Sequence, residues 1–292
     1  MRLAILGFGL IGGSIARALH ERAPGEWTIS AWSPRGGGPA AAVETGAISS
    51  AAASAEEAIT GADVVLLAAP PLECRRLVDE LAGPLRSVLA SGAVVTDVAS
   101  TKRAIVERAA AARLPFVGGH PMAGRERSGF AAADPALFVD RPWVICPAGA
   151  PAAAVARVEN LVRAVGGVPL RMDAAAHDAA VAGISHLPLV LAASLAEAVL
   201  GEGGPPRARE LAANGWRDMT RLARGDPAMG AGIVATNADF VAERIRAARA
   251  ALDAWLVDLE REGGPDAAQV EARLAAARRL LDDDSGEGRD GR

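Results

Sequence analysis

The stretch LAILGFGLIGGSIARALHER, residues 3–22, decides the fold. Residues 3–6 are an apolar, strand-like run; Gly7, Gly9 and Gly12 follow in the spacing G-x-G-x-x-G; SIARALHER then reads as a helix. A glycine pattern of this kind is weak alone and strong between a strand and a helix. Gly7 permits a tight turn, Gly9 lets the backbone approach a pyrophosphate, and Gly12 lets the helix pack closely on its strand. With Leu10 and Ile11, these residues open a helix whose free N–H groups and positive dipole end suit an anion. The pattern is that of a dinucleotide-binding unit.

Outward from this loop, strand-like runs at 27–32, 63–69, 93–98, 116–118 and 143–147 alternate with helical stretches, as βαβ units of a mostly parallel sheet require. VVLLAA (64–69) and AVVTDV (93–98) are apolar nearly throughout, as expected of central strands covered on both faces. After GVPLR (167–171) strand-like runs nearly vanish, and helical spacing predicts helices over 151–165, 174–200, 206–224, 228–262 and 265–281. The expected organisation is an α/β fold: an N-terminal Rossmann-type parallel-sheet domain over 1–149, an all-helical C-terminal domain over 150–281 for substrate and dimer contacts, and a disordered charged tail over 282–292.

Composition narrows the function. The 292 residues carry 31 basic and 35 acidic side chains, a net charge of −4, which gives no footprint for nucleic acid. The reading expects no membrane span, no secretory leader and a cytoplasmic protein acting on a small molecule. Cys74 and Cys146 lack metal-ligand spacing and imply neither a disulfide framework nor a metal site.

The cofactor's identity hangs on the end of the second strand, where an acidic residue would hold the adenosine ribose of NAD. WTISAW instead runs into Ser33, Pro34 and Arg35, a hydroxyl and a guanidinium suited to a 2′-phosphate, so NADP is preferred over NAD. Ala69 and Pro70, ending the next strand, would line the same crevice.

Four histidines are the acid–base candidates. His20 lies late in the first helix and reads as a surface residue; His177, beside Asp173 and Asp178, ranks behind His120. His120 sits in GGHPMAG, a loop expected to follow a strand at the carboxyl edge of the sheet, where ligands of such sheets bind. DVASTK (97–102) brings Ser100 and Thr101 to the same rim, where a hydroxyl can orient an imidazole; the pair also reads as a helix N-cap.

GFGLIGGS, DVASTK, FVGGHPMAGRERSGFAAADPALF, GISHLPLVLAASLAEAV and NGWRDMTRLARGDPAMG, in that order over most of the chain, resemble prephenate and arogenate dehydrogenases of tyrosine biosynthesis. The resemblance implies oxidative decarboxylation of prephenate or arogenate with hydride transfer to NAD(P). It implies that His120 accepts the hydrogen bond of the ring 4-hydroxyl and that Ser100 orients His120 and borders the cofactor. It assigns a substrate carboxylate to Arg221, with Arg217 second, and places His186 toward substrate or nicotinamide. Apart from the resemblance, the long apolar helices of the second half exceed what one modest domain needs to cover itself, so a homodimer built through them is expected.

Two other readings stand beside it. A β-hydroxyacid dehydrogenase of similar plan would use a lysine in the helical part, but Lys102 is the chain's single lysine. A non-catalytic dinucleotide sensor would need neither His120 nor Arg221.

Overall fold

The computed structural model describes residues 1–125, 127–202, 204–205 and 207–284. The sheet-bearing part runs β1 (Arg2–Leu6), α1 (Leu10–Arg22), β2 (Thr28–Trp32), α2 (Gly37–Glu44), β3 (Ser50–Ala51), α3 (Ala55–Ile59), β4 (Val64–Leu67), α4 (Pro71–Ala82), β5 (Val94–Asp97), α5 (Arg103–Ala111), β6 (Phe116–Pro121), β7 (Pro142–Cys146), α6 (Ala152–Ala164) and β8 (Val168–Arg171). The helical continuation is α7 (Ala174–Val181), a π-turn (Ala182–His186), α8 (Leu187–Leu200), α9 (Asn214–Thr220), α10 (Pro227–Thr236), α11 (Ala238–Leu259) and α12 (Ala267–Asp284).

One eight-stranded sheet has the order β3-β2-β1-β4-β5-β6-β7-β8, with β1 to β6 parallel and β7 antiparallel to β6. The order 3-2-1-4-5-6 within it is that of a Rossmann-type fold, and it reverses direction between β1 and β4. Side-chain alternation explains the two layers: Leu3, Ile5, Val64 and Leu66 enter one core, whereas Ala4, Leu6, Val65 and Leu67 enter the other. Each fully buried Leu or Ile contributes roughly 1.5–3 kcal/mol by leaving water, so helices on both faces are needed.

The sheet reaches past the expected boundary at residue 149. α6 packs on the sheet and β8 pairs in parallel with β7, so the sheet layer continues through Arg171. Three further expectations are corrected. His120 lies within β6, not in a loop after it, because β7 pairs antiparallel with residues 118–121 and prolongs the strand. The single helix expected over 206–224 is a 3-10 turn at Ala208–Leu211, then α9, then a 3-10 turn at Arg221–Arg224; left-handed Arg207 (φ 67°) and extended Ala213 interrupt it. The helix expected over 228–262 breaks at Asn237, whose amide leaves the helical path to bond inward. α12 also continues through residues 282–284, expected as tail; residues 285–292 lie outside the described residues.

The chain forms two compact units, Met1–Val241 and Ala242–Arg292. In the second, Arg273 ties the two helices, donating to Asp258 (2.7 Å) and the Ala251 carbonyl (2.9 Å) and lying over the Trp255 ring. Ala174–Leu200 is long and apolar enough, by length and composition alone, to cross a bilayer, which the sequence reading did not register. Its His177, Asp178 and His186 are nevertheless buried in the first unit and bonded there, which is the use a globular unit makes of such a helix.

Candidate active site

The carboxyl ends of β1, β4, β5 and β6 lie side by side, so Gly7, Ala69, Ser100 and His120 occur along one edge. Gly7 has φ +90°, and a Cβ there would stand 2.5 Å from the Ala68 carbonyl oxygen; a Cβ on Gly12 would stand 2.9 Å from the Gly7 carbonyl oxygen. Both positions therefore require glycine for packing. Around Gly9 nothing lies within 4 Å of the Cβ position, which leaves open space for a ligand's close approach. The first intrahelical bond here runs from Gly13 N–H to the Gly9 carbonyl (3.0 Å), so the N–H groups of Leu10, Ile11 and Gly12 lack intrahelical acceptors. No acidic residue sits in that first turn to oppose an anion. Loop, space and donors together fit a pyrophosphate.

Beside them, β2 runs into a tight turn, Gly36 N–H to Ser33 carbonyl at 3.0 Å, that leads to the N-terminus of α2. Arg35 is exposed in this turn and Ser33 is half-buried. Ala69 and Pro70 are half-buried at the end of β4, and the Ala69 Cβ faces the space beside Gly7.

Between β5 and β6 the backbone ladder pairs Val95 with Phe116 and Thr96 with Val117 and then stops. Side chains take over. Asp97 Oδ1 accepts from Gly119 N–H (3.0 Å), Lys102 Nζ donates to the Gly119 carbonyl (2.7 Å), and Lys102 pairs with Asp97 in full burial. Both backbone groups of the residue before His120 are thus held. Burial pushes the Asp97 carboxyl up, opposed by Lys102 and by the N–H groups of Gly119 and Ala99.

His120 is half-buried, and its Nδ1 lies 2.8 Å from His177 Nε2 in an edge-on ring contact. His177 Nδ1 lies 2.8 Å from Asp178 Oδ1. Asp178 also accepts the N–H groups of Lys102 (2.7 Å) and Arg103 (2.9 Å), capping α5 from outside. The sequence assigns Ser100 the orienting role; in the structure the His120 ring meets His177 instead, a residue placed behind His120 and outside the expected site. Ser100 Oγ is buried and has no hydrogen-bond partner.

His186 is delivered by the π-turn, a feature frequent at functional sites. Asn237 Nδ2 donates to the Asp178 carbonyl (2.8 Å) and stands 3.1 Å from His186 Nδ1. An amide nitrogen only donates, so His186 Nδ1 accepts and Nε2 carries the proton. That buried Nε2 also has no partner. Burial pushes His186 down to about 4, with His177 lowering it further and Asp178 and the Ser100 carbonyl pulling upward. Burial likewise pushes His120 well below its ordinary value, helped by His177, Lys102 and His186. Both shifts favour neutral imidazoles at pH 7, His186 with its proton on Nε2.

Asn237 was not singled out from sequence, and its signal, an Asn inside an apolar helical run, was available. Arg217 and Arg221 lie exposed on α9 and the 3-10 turn after it, beside α8. His20 is exposed, in agreement with its surface reading. Burial pushes both cysteine thiols up, Cys146 to about 12, which removes them as nucleophiles.

Two family models match: prephenate dehydrogenase, nucleotide-binding domain, over residues 15–170, and prephenate dehydrogenase, dimerization domain, over 173–266. The chain belongs to the prephenate/arogenate dehydrogenase family. Among its relatives, a prephenate dehydrogenase of Bacillus subtilis is 33% identical over 264 residues, 89% of this chain and 68% of that protein. A cyclohexadienyl dehydrogenase of Zymomonas mobilis is 32% identical over 81% of this chain and 80% of its own. The structure of prephenate dehydrogenase from Aquifex aeolicus, in complex with hydroxyphenyl propionate and NAD+, superposes with a TM-score of 0.85 at 26% identity, covering 97% of this chain and 98% of that one. Synechocystis arogenate dehydrogenase gives 0.77 at 28% identity, covering 96% and 100%. Membership in this family and the fitted glycine loop make the protein an NAD(P)-dependent dehydrogenase of this type.

Proposed function

We propose that the protein oxidatively decarboxylates prephenate to 4-hydroxyphenylpyruvate, or arogenate to tyrosine, with NADP preferred over NAD. The observation that carries this reading is that His120, its Nδ1 already engaged, shares the sheet edge with Ser100, whose buried Oγ lacks a partner, while the buried Nε2 of His186, which acts on His120 electrostatically, lacks one too. Orphaned polar atoms in a buried place are what a polar ligand satisfies.

His120 Nε2 takes the proton of the ring 4-hydroxyl as that carbon becomes a ketone, an assistance worth typically 10²- to 10⁴-fold in rate. A bound nicotinamide supplies the acceptor for the hydride leaving the same carbon. Loss of the ring carboxylate as carbon dioxide then returns its bonding pair to the ring, and the oxygen recovers a proton as the phenol. Ser100 Oγ borders the reacting hydroxyl and the cofactor. His186 Nε2–H donates to substrate or to the nicotinamide. Arg221, with Arg217 second, supplies a planar fork for a substrate carboxylate.

The NADP preference is supported by the sequence Trp32-Ser33-Pro34-Arg35, which puts no acid at the end of β2, and by an exposed guanidinium next to the N-terminus of α2. A homodimer built through the helical part is supported by large apolar side chains left exposed there, Ile184 at 72% and Leu211 at 82% among them. A reducing, cytoplasmic setting is supported by the free, buried Cys74 and Cys146.

The deciding experiment follows reduced-cofactor absorbance with prephenate and arogenate, each crossed with NAD and NADP. We expect turnover with at least one substrate and the larger kcat/KM with NADP. No reduction in all four combinations overturns the reaction, and a larger value with NAD overturns the cofactor preference.

A further inference from the structure

We infer that His177 and Asp178 are positioning residues that set the tautomer of His120, placing its proton on Nδ1 and leaving Nε2 bare. The inference rests on His120 as proton acceptor in the reaction above, but its geometry is independent of which substrate is used.

With His177 neutral, the chain of donors has one consistent solution. Asp178 is fixed as an acceptor, since its two carboxylate oxygens already take the N–H groups of Lys102 (2.7 Å) and Arg103 (2.9 Å) at the start of α5. The 2.8 Å contact between Asp178 Oδ1 and His177 Nδ1 therefore needs a proton on His177 Nδ1. A neutral His177 then has only a lone pair at Nε2. The 2.8 Å contact from His177 Nε2 to His120 Nδ1 must be made by a proton on His120 Nδ1. What remains on His120 is the lone pair of Nε2, the one form of a neutral imidazole that can take a proton at that atom. Free imidazole side chains favour the opposite tautomer, so the fold has to impose this one.

Burial makes the arrangement stiff: His177 is 1% exposed, and Asp178 and Lys102 are fully buried. Asp97 and Lys102 hold the backbone of Gly119, so the His120 ring has a fixed origin as well as a fixed edge. When Nε2 takes a proton, the substrate O–H bond breaks and an N–H bond forms. The new imidazolium then sits at the end of a hydrogen-bonded chain that terminates in a carboxylate. This is the division of labour in which a buried acid orients a histidine and stabilises its charged form, here extended by one imidazole.

The test reads the tautomer directly, by two-bond proton–nitrogen correlation spectra of the full chain with nitrogen-15-labelled histidine, His120 being assigned by the signals lost in His120→Asn. In the parent protein, His120 is expected to show a protonated, pyrrole-type Nδ1 and a bare, pyridine-type Nε2. In His177→Phe the pattern is expected to invert or average, with kcat down by roughly 10- to 100-fold while KM and cofactor affinity stay within about twofold. In His177→Gln, whose carbonyl can accept from His120 Nδ1, the parent pattern and part of kcat are expected to return. A parent spectrum with protonated Nε2 on His120 overturns the proposal even if neither His177 variant folds, and so does an unchanged His120 pattern in His177→Phe. The spectra do not require turnover, so absence of dehydrogenase activity would fail the proposed reaction without deciding the tautomer.

Discussion

Lys102 is the only lysine in the chain, and the protein spends it in a fully buried pair with Asp97. Such a pair is weak support for stability as a whole, but removing one partner strands the other charge. Asp97→Asn is accordingly expected to lower unfolding free energy by about 3–5 kcal/mol in urea titrations. A loss below about 1 kcal/mol would mean that water reaches Lys102 Nζ. His120→Asn is expected to reduce kcat by roughly 10²- to 10⁴-fold with cofactor affinity retained, measured by steady-state rates and reduced-cofactor fluorescence. Near-parental turnover would remove His120 from the proton-transfer step. His120 was legible in sequence because GGHPMAG follows a strand pattern at the sheet's edge. Its partner was not, since Nδ1 is met by a residue 57 positions away.

At the level of elements, the two glycines of the cofactor loop separate packing from binding. Gly7→Ala forces a side chain into φ +90° and against the Ala68 carbonyl, and is expected to cost roughly 1–3 kcal/mol of stability. In Gly9→Val the added Cβ has no protein atom within 4 Å, so unfolding should shift by no more than about 0.5 kcal/mol while dinucleotide affinity collapses. Paired thermal melts and cofactor titrations check both; a Gly9→Val protein that binds cofactor normally would show that the pyrophosphate lies elsewhere. The strands of the sheet were readable from apolar runs, because strands covered on both faces must be apolar throughout. Helical spacing continues across the breaks within 206–224 and 228–262, so local pattern alone predicts each as one helix. Asn237 leaves the helix for the Asp178 carbonyl and His186, a tertiary choice no local pattern records.

For the whole molecule, the buried histidines link stability to pH. His186 titrates near 4 in the fold against 6.5 unfolded, and His120 is lowered as well, so the unfolded chain binds more protons between those values. Stability is then complete above about pH 6.5 and lost as pH falls toward 4, by on the order of 3 kcal/mol from His186 alone. Urea midpoints at pH 7 and about pH 5 should differ in that direction, and less so in His186→Gln; equal midpoints would mean that His186 is solvated. Exposed Leu256 and Val257 in the second unit and Ile184 and Leu211 in the first predict a mass by sedimentation equilibrium of twice the 29.7 kDa chain. A monomer at micromolar concentration would count against a dimer through these helices. The sequence by itself determined the Rossmann-type sheet, the glycine loop, the helical second half and the place of His120 at the sheet edge, since each is written in local spacing and in residue types with few alternatives. Only the tertiary structure decided that β7 would extend β6 to include His120, that Asp97 and Lys102 would hold Gly119, and that His177, not Ser100, would meet the His120 ring. Those outcomes depend on hydrogen-bond partners many residues apart finding one another in a buried space, where each donor must meet an acceptor and the chain order carries no record of which.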